Sequence, residues 1–242
     1  MYRFIAYMQR DLLRWSRTKL NVISTLALPM AWLVFVGLTL PLDFGGNYLD
    51  FITPSILVLT MLAAGLSGGI SLMFDKTLGY LNKFLAMPAP RESILLGKIG
   101  FISTRGLLQA IIILVFSVLI GATIRSPAFY LWTFTVLLLF GVLMAAFGTT
   151  VALFLKEHDT YAALQAIISM PLFFTSTALM PYEEMPSWLA SIAHVNPVSY
   201  AIDAIRSMAV GSPDLLSVAG LAAGAAVMLV ACGFAFRKVV AS

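Results

Sequence analysis

Six long apolar runs, each bounded by charged or turn-forming residues, divide the chain: Asn21 to Leu40, Phe51 to Phe74, Ile94 to Ile120, Ala128 to Leu155, Tyr161 to Pro181 and Leu215 to Phe236. About 20 apolar residues in a helix cross roughly 30 Å of hydrocarbon, so each run is long enough to span a membrane. The pattern predicts an all-α integral membrane protein whose six spans make one transmembrane domain over residues 1–242. Residues 1–20 have a different period. Arg3, Arg10, Arg14 and Arg17 gather on one side of a 3.6-residue helix, and Phe4, Met8, Leu12 and Trp15 gather on another. Such a helix lies in the headgroup plane, with its arginines turned to lipid phosphates or to a protein partner.

Two polar stretches between the runs also carry helical spacing. In residues 76–92, Leu78, Leu81 and Leu85 recur with Tyr80 and Phe84 on the flank, and Pro88 stops the helix near Met87 by disfavouring helical geometry in the residue before it. Tyr80 and Phe84 either meet a partner or fold back on the spans. In residues 182–213, Pro186-Ser187-Trp188-Leu189 starts one short helix, and Asn196 as N-cap with Pro197 in the first turn starts another. There Val198, Ile202, Ile205 and Ala209 share one face. Ser199, Asp203 and Arg206 share a second, and Asp203 and Arg206 are spaced to pair at i, i+3. This segment is too polar to span and too apolar for a free loop, which predicts a re-entrant hairpin over one end of the bundle.

Composition agrees: 60% of the 242 residues are hydrophobic and 11% charged, against about a quarter charged in soluble domains. The charges also orient the chain. With the N-terminus inside, Arg3, Arg10, Arg14, Arg17, Lys19, Lys76, Lys83, Arg91, Lys98, Lys156, Arg237 and Lys238 fall on the cytoplasmic side, and only Arg125 and Arg206 outside. The positive-inside rule then places both termini in the cytoplasm, with Tyr130, Trp132, Tyr182 and Trp188 at the outer headgroups. The net charge of +4 is thus a topological signal rather than a nucleic-acid footprint. The first apolar run is about twice the length of a signal core and no small-residue cleavage site follows it, so it is expected to stay as a span.

Chemistry-bearing residues are sparse. Gly97-Lys98 fails as a phosphate-binding loop, because Glu92 stands where the first glycine belongs and Ile99 where Ser or Thr belongs. ATP hydrolysis is therefore expected on another polypeptide, with no cofactor in this chain. His158 and His194 are assigned to opposite sides of the membrane, which disfavours an intramembrane enzyme. The lone Cys232 excludes an intrachain disulfide. Gly65, Ser67, Gly68 and Gly69 in the second span are small enough for another backbone to come close, and Pro171 is a kink point in the fifth. Lys98, Arg105 and Gln109 share a stripe of the third span. A charge at that depth snorkels, pairs (Asp75 being one partner) or touches an anionic substrate or lipid headgroup.

These residues together resemble the permease subunits of ABC-2-type exporters, the half-size membrane subunits of bacterial drug, lipid and polysaccharide export systems. The likeness runs through the basic arm, the six spans, Pro88-Ala89-Pro90-Arg91, Gly97-Lys98 and Met180-Pro181, and is most specific from Asn196-Pro197 to Asp203 and Arg206. It implies that Tyr2 to Lys19 is a connecting helix in which Arg10, Arg14 and Arg17 face an ATPase. It also implies that Gly79, Tyr80, Leu81, Lys83, Phe84 and Met87 belong to a coupling helix on that ATPase, and that Asn196, Pro197, Asp203 and Arg206 belong to an extracellular gate. Where the family often has a glutamate before the glycine, this chain has Asp75-Lys76-Thr77-Leu78. The implied partners are two ATP-binding subunits carrying ATP and Mg, a second copy of this permease or a similar one, and lipids of a bacterial-type inner membrane. The implied substrate is drug-like or lipid-like, with a lipid-linked polysaccharide or a non-transporting scaffold role as alternatives.

Overall fold

The computed structural model describes residues 2–39, 47–80, 92–155 and 157–241, and every regular element among them is helical. In chain order these are α1 (Tyr2–Arg17), α2 (Lys19–Thr39), α3 (Tyr48–Thr77), α4 (Glu92–Leu119), α5 (Pro127–Phe154), α6 (His158–Phe174), a 3-10 turn (Tyr182–Glu184), α7 (Ser187–Ala193), α8 (Pro197–Ala209) and α9 (Leu215–Ala241). Five of them, α2 to α5 and α9, are long and apolar enough to cross a membrane. Pro41, Asp43 and Gly45-Gly46 predict a short turn between the first two apolar runs, and these residues lie outside the described ones.

The chain's own side chains set the helix starts. The Asn47 carboxamide oxygen accepts from Leu49 N at 3.1 Å to open α3, and Ser126 Oγ accepts from Phe129 N at 3.3 Å to open α5 with Pro127 in its first turn. Asn196 does the same for α8, at 2.9 Å from Val198 N, as its sequence predicts.

The fifth apolar run behaves differently. It was expected to span from Tyr161 to Pro181, but α6 stops at Phe174 after 17 residues, or about 25 Å at 1.5 Å per residue. Pro171 sits within the helix, and the stop comes one turn later. There the Thr175 and Ser176 hydroxyls bond back to the Pro171 and Phe173 carbonyls, and residues 175–181 continue as turns beneath α8.

α3 and α5 form the centre: 72% and 67% of their apolar windows are buried, against 22% in α2 and α9. Lipid tails are as apolar as leucine, so fit rather than escape from water holds the pair together. The small residues provide that fit, as the sequence predicts. A methyl group on Gly65 would overlap Met144, and one on Gly148 would come within 2.8 Å of the Gly65 carbonyl oxygen. Gly69 faces the Gly148 carbonyl and the Tyr161 hydroxyl, which donates to the carbonyls of Leu66 and Gly148. Gly69→Val is expected to destabilise the bundle by about 1–3 kcal/mol, because backbone and a bonded hydroxyl cannot yield as a flexible side chain would. Thermal unfolding in detergent checks this, with Gly220→Val in open space on α9 as the neutral control.

Candidate functional site

At one end of the bundle α1 lies against the start of α4. Gly97 makes this possible, since a Cβ there would stand 2.8 Å from Tyr7 Cβ and 3.2 Å from the Phe4 carbonyl oxygen. That approach brings Asp11 onto Lys98. Lys98 Nζ is 2.7 Å from Asp11, 2.5 Å from Asp75 at the end of α3 and 2.8 Å from Ser71 Oγ. Arg10 closes the ring, 2.5 Å from Asp11 and 3.3 Å from Asp75. Lys98, Asp11 and Asp75 are at most 5% exposed, so one cation and two carboxylates meet out of water, with the half-exposed Arg10 balancing the second carboxylate from the rim. Arg10, expected on a basic face open to phosphates or a partner, is instead committed to this cluster. Arg14 and Arg17 remain exposed.

Below the cluster, α3 runs on through Lys76 and Thr77, residues expected to begin the coupling helix. It ends at Leu78-Gly79, where Gly79 takes φ +71° and its N–H reaches the Lys76 carbonyl at 3.2 Å. A side chain at Gly79 would be strained in this left-handed conformation, so the residue serves as the stop of α3 rather than the interior of the next helix. Tyr80 follows, exposed. Leu81, Lys83, Phe84 and Met87 lie outside the described residues. Lys76 Nζ donates to the carbonyls of Leu153 at 2.9 Å, Leu155 at 3.3 Å and Ala152 at 3.4 Å, where a cation complements the C-terminal end of α5. Glu92 and Arg237 pair at 2.8 Å and join the start of α4 to the last turns of α9.

Arg105 stands two turns along α4 from Lys98. The Asp75 partner proposed for it is taken by Lys98, and Arg105 Nη2 donates instead to the Ala64 carbonyl at 3.0 Å and Ser67 Oγ at 2.7 Å. Gln109, on the same stripe, donates to Thr25 Oγ1 at 2.6 Å. Between α1, α2, α3 and α4, Arg105 borders a cavity of about 360 Å³.

At the other end α8 packs on α3, α5 and α9. Asn196 Nδ2 donates to the Leu172 carbonyl at 2.7 Å and to Thr175 Oγ1 at 3.1 Å, so one side chain caps α8 and fastens it to the end of α6. Pro197 sets the first turn beside it. Asp203 accepts from Thr177 Oγ1 and Tyr182 OH, both at 2.8 Å. Arg206 donates to the Thr177 carbonyl at 2.8 Å, and to the Phe51 carbonyl and Ser55 Oγ at 3.0 Å, with its guanidinium 3.8 Å from the centre of the Phe51 ring. The i, i+3 ion pair expected between Asp203 and Arg206 does not close among the described residues, because better-placed partners on other elements take both side chains. Burial raises the Asp203 carboxyl above its usual range, and the Thr177 and Tyr182 hydroxyls pull it back. Asp214, at the start of α9, is held low by the Ser217 hydroxyl and by backbone N–H groups. Beside Arg206 a second cavity, of about 420 Å³, carries Asp50, Arg125 and Tyr130 in its wall, with Arg125 and Asp50 paired at 3.3 Å.

His158 packs on Phe74 and His194 stacks on Tyr182, so each histidine is a ring contact in a different part of the molecule. Asp11 is the residue the sequence reading missed. Its signal was a carboxylate at i+7, i+4 and i+3 from Phe4, Tyr7 and Met8, on the apolar side of α1.

Five helices long and apolar enough to cross a bilayer, packed as one bundle with α1 tied to it through Asp11, Lys98 and Asp75, make this a membrane protein. Residues 2–210 match the ABC-2 type transporter family, and the chain belongs to it. It is similar to the "Putative transport permease ycf38" of Cyanophora paradoxa, 33% identical over 82% of this chain and 71% of that protein. It is also similar to the "Probable doxorubicin resistance ABC transporter permease protein DrrC" of Mycobacterium tuberculosis, 30% identical over 92% of this chain and 82% of that protein. "Nodulation protein J" of Rhizobium leguminosarum bv. viciae is 23% identical over 87% and 83% respectively.

Proposed function

We propose that this chain is the membrane-spanning permease subunit of an ATP-driven exporter, moving a hydrophobic or amphipathic substrate out of the cytoplasm or the inner leaflet. α6 completes a sixth crossing together with the turns that follow it, and α7 with α8 forms a re-entrant hairpin on the outer side. Both termini face the cytoplasm of a bacterial-type inner membrane. Two copies, or this chain and a similar one, work with two ATP-binding subunits that carry ATP and Mg. The sparsely buried α2 and α9 supply faces for lipid and for the second permease.

The observation that carries this reading, beside the family, is the continuity of α3. One helix of 30 residues has Asp75 and Lys76 at its inner end, tied to α1, α4 and α5, and Phe51 and Ser55 at its outer end, tied to Arg206. A push from an ATP-binding subunit on Tyr80 and the segment through Met87 enters α3 at Gly79 and reaches the hairpin through Arg206. Coupling of this kind requires two global states that ATP and substrate each bias. The similarity to a protein named for doxorubicin resistance supports a drug-like or lipid-like substrate.

The test is reconstitution with the ATP-binding subunit in proteoliposomes. Tyr80→Asp combined with Phe84→Asp is expected to abolish copurification and ATP-dependent efflux, with thermal unfolding of the permease measured beside them. Vectorial efflux from vesicles lacking the ATP-binding subunit, or labelling that finds the termini on opposite sides, overturns the reading.

A further inference from the structure

We propose that the cavity between α1, α2, α3 and α4 is a binding site for the phosphate of an anionic amphiphile, held at headgroup level with its tail along α2. Two buried donors border this cavity and have no hydrogen-bond partner among the described residues: Arg105 Nε and Trp15 Nε1. Leaving a buried donor unmade costs about 1–3 kcal/mol, and such groups are normally satisfied by protein, water or a ligand. Two of them at one cavity point to the same missing acceptor. Arg105 is already positioned to meet it, since its Nη2 bonds to Ala64 and Ser67 fix the guanidinium plane.

The charge balance of the wall selects an anion. Arg14 lines the cavity from α1 and is exposed. Asp11 also lines it, but its two oxygens are held by Arg10 and Lys98, so it presents no uncompensated charge. Among the described residues Arg14 and Arg105 are therefore the cations of this wall without an ion pair, and guanidinium matches phosphate oxygens two at a time. Asn21 in the same wall adds a polar group able to donate.

The surroundings select an amphiphile over a free ion. Phe101, Ile70 and Phe74 give the wall an apolar side beside the hydroxyls of Thr18, Thr25, Ser67 and Ser71, and on the adjoining helix Leu20 and Ile23 are 76% and 63% exposed. An acyl chain leaving the cavity finds that apolar face of α2 next to it. The site itself rests on this geometry. Only the choice of the cytoplasmic leaflet, and a headgroup site for substrate or resident lipid there, rests on the topology proposed above.

The experiment is thermal unfolding of the purified full chain in an uncharged detergent, titrated with phosphatidylglycerol, with phosphatidylcholine and with inorganic phosphate. Phosphatidylglycerol is expected to raise the midpoint saturably, with phosphatidylcholine and inorganic phosphate giving little or no rise. Arg14→Gln, whose side chain makes no buried ion pair, is expected to keep the unliganded midpoint and weaken phosphatidylglycerol binding about tenfold, as is Arg105→Gln if it folds. Trp15→Phe should weaken binding less. Equal shifts with the two phospholipids overturn the phosphate assignment, and a shift of the same size with inorganic phosphate overturns the amphiphile. Wild-type affinity in Arg14→Gln overturns the site even where Arg105→Gln fails to fold. Because neither ATP nor a partner is present, failure of the exporter reading leaves these outcomes unchanged.

Discussion

Lys98→Met is expected to cost about 3–5 kcal/mol of stability. The methionine fills a similar volume, so the loss is electrostatic. Asp11 and Asp75 would remain buried, with Arg10 as their one cationic partner among the described residues, at 3.3 Å from Asp75 and itself 37% exposed. A carboxylate pair left in that state either admits water or forces α1 away from α4. The readouts are the midpoint of thermal unfolding in detergent and the rate of trypsin cleavage after Arg14 and Arg17, which should rise as α1 detaches. Removing the acids as well, in Asp11→Leu, Asp75→Leu, Lys98→Met, is expected to restore most of the midpoint, since a buried pair contributes little over well-packed apolar groups. A Lys98→Met protein with the parent's midpoint and cleavage rate would show that the cluster is not the rivet holding the arm.

The apolar runs revealed the long helices because a hydrocarbon solvent leaves a chain few alternatives to a helix, and the Asn196-Pro197 pair revealed the start of α8 because capping is local. Gly65 and Gly69 were legible as close-approach positions for the same reason: their meaning depends on size alone. What was hidden depends on partners remote in sequence. Asp203 and Arg206 have the spacing of an ion pair, yet Thr177, Tyr182, Phe51 and Ser55, brought in by the turns after α6 and by α3, outcompete it. Arg10 shares a stripe with Arg14 and Arg17, yet the neighbouring Asp11 turns it toward Asp75, 65 positions away. The end of α6 at Phe174 was obscured because hydrophobicity continues to Pro181, while the hydroxyls of Thr175 and Ser176 and the reach of Asn196 to the Leu172 carbonyl end the helix. In the segment that the family resemblance implies for coupling, the structure defines the stop at Gly79, and the role of Leu81, Lys83, Phe84 and Met87 is a proposal from that resemblance.

Arg206→Lys is expected to separate transport from ATP hydrolysis. The guanidinium reaches the Thr177 carbonyl with one nitrogen and the Phe51 carbonyl and Ser55 hydroxyl with the other, while lying 3.8 Å from the Phe51 ring centre. An ammonium keeps the charge but is a single point, so it serves either the turn after α6 or the start of α3 and does not join them. Hydrogen bonds to charged groups contribute about 1.5–3 kcal/mol each at most, and loss of one set leaves a folded protein in which Arg206 no longer joins α8 to α3. In proteoliposomes with the ATP-binding subunit, Arg206→Lys should therefore retain ATPase activity within about twofold while efflux falls by about tenfold or more, equivalent to roughly 1.4 kcal/mol of lost coupling. Arg206→Met, which removes both joints and leaves the Thr177 carbonyl without its donor, should lower the thermal midpoint as well. Equal losses of ATPase and efflux in Arg206→Lys would place the residue in general stability, and undiminished efflux would remove the hairpin from the transport cycle.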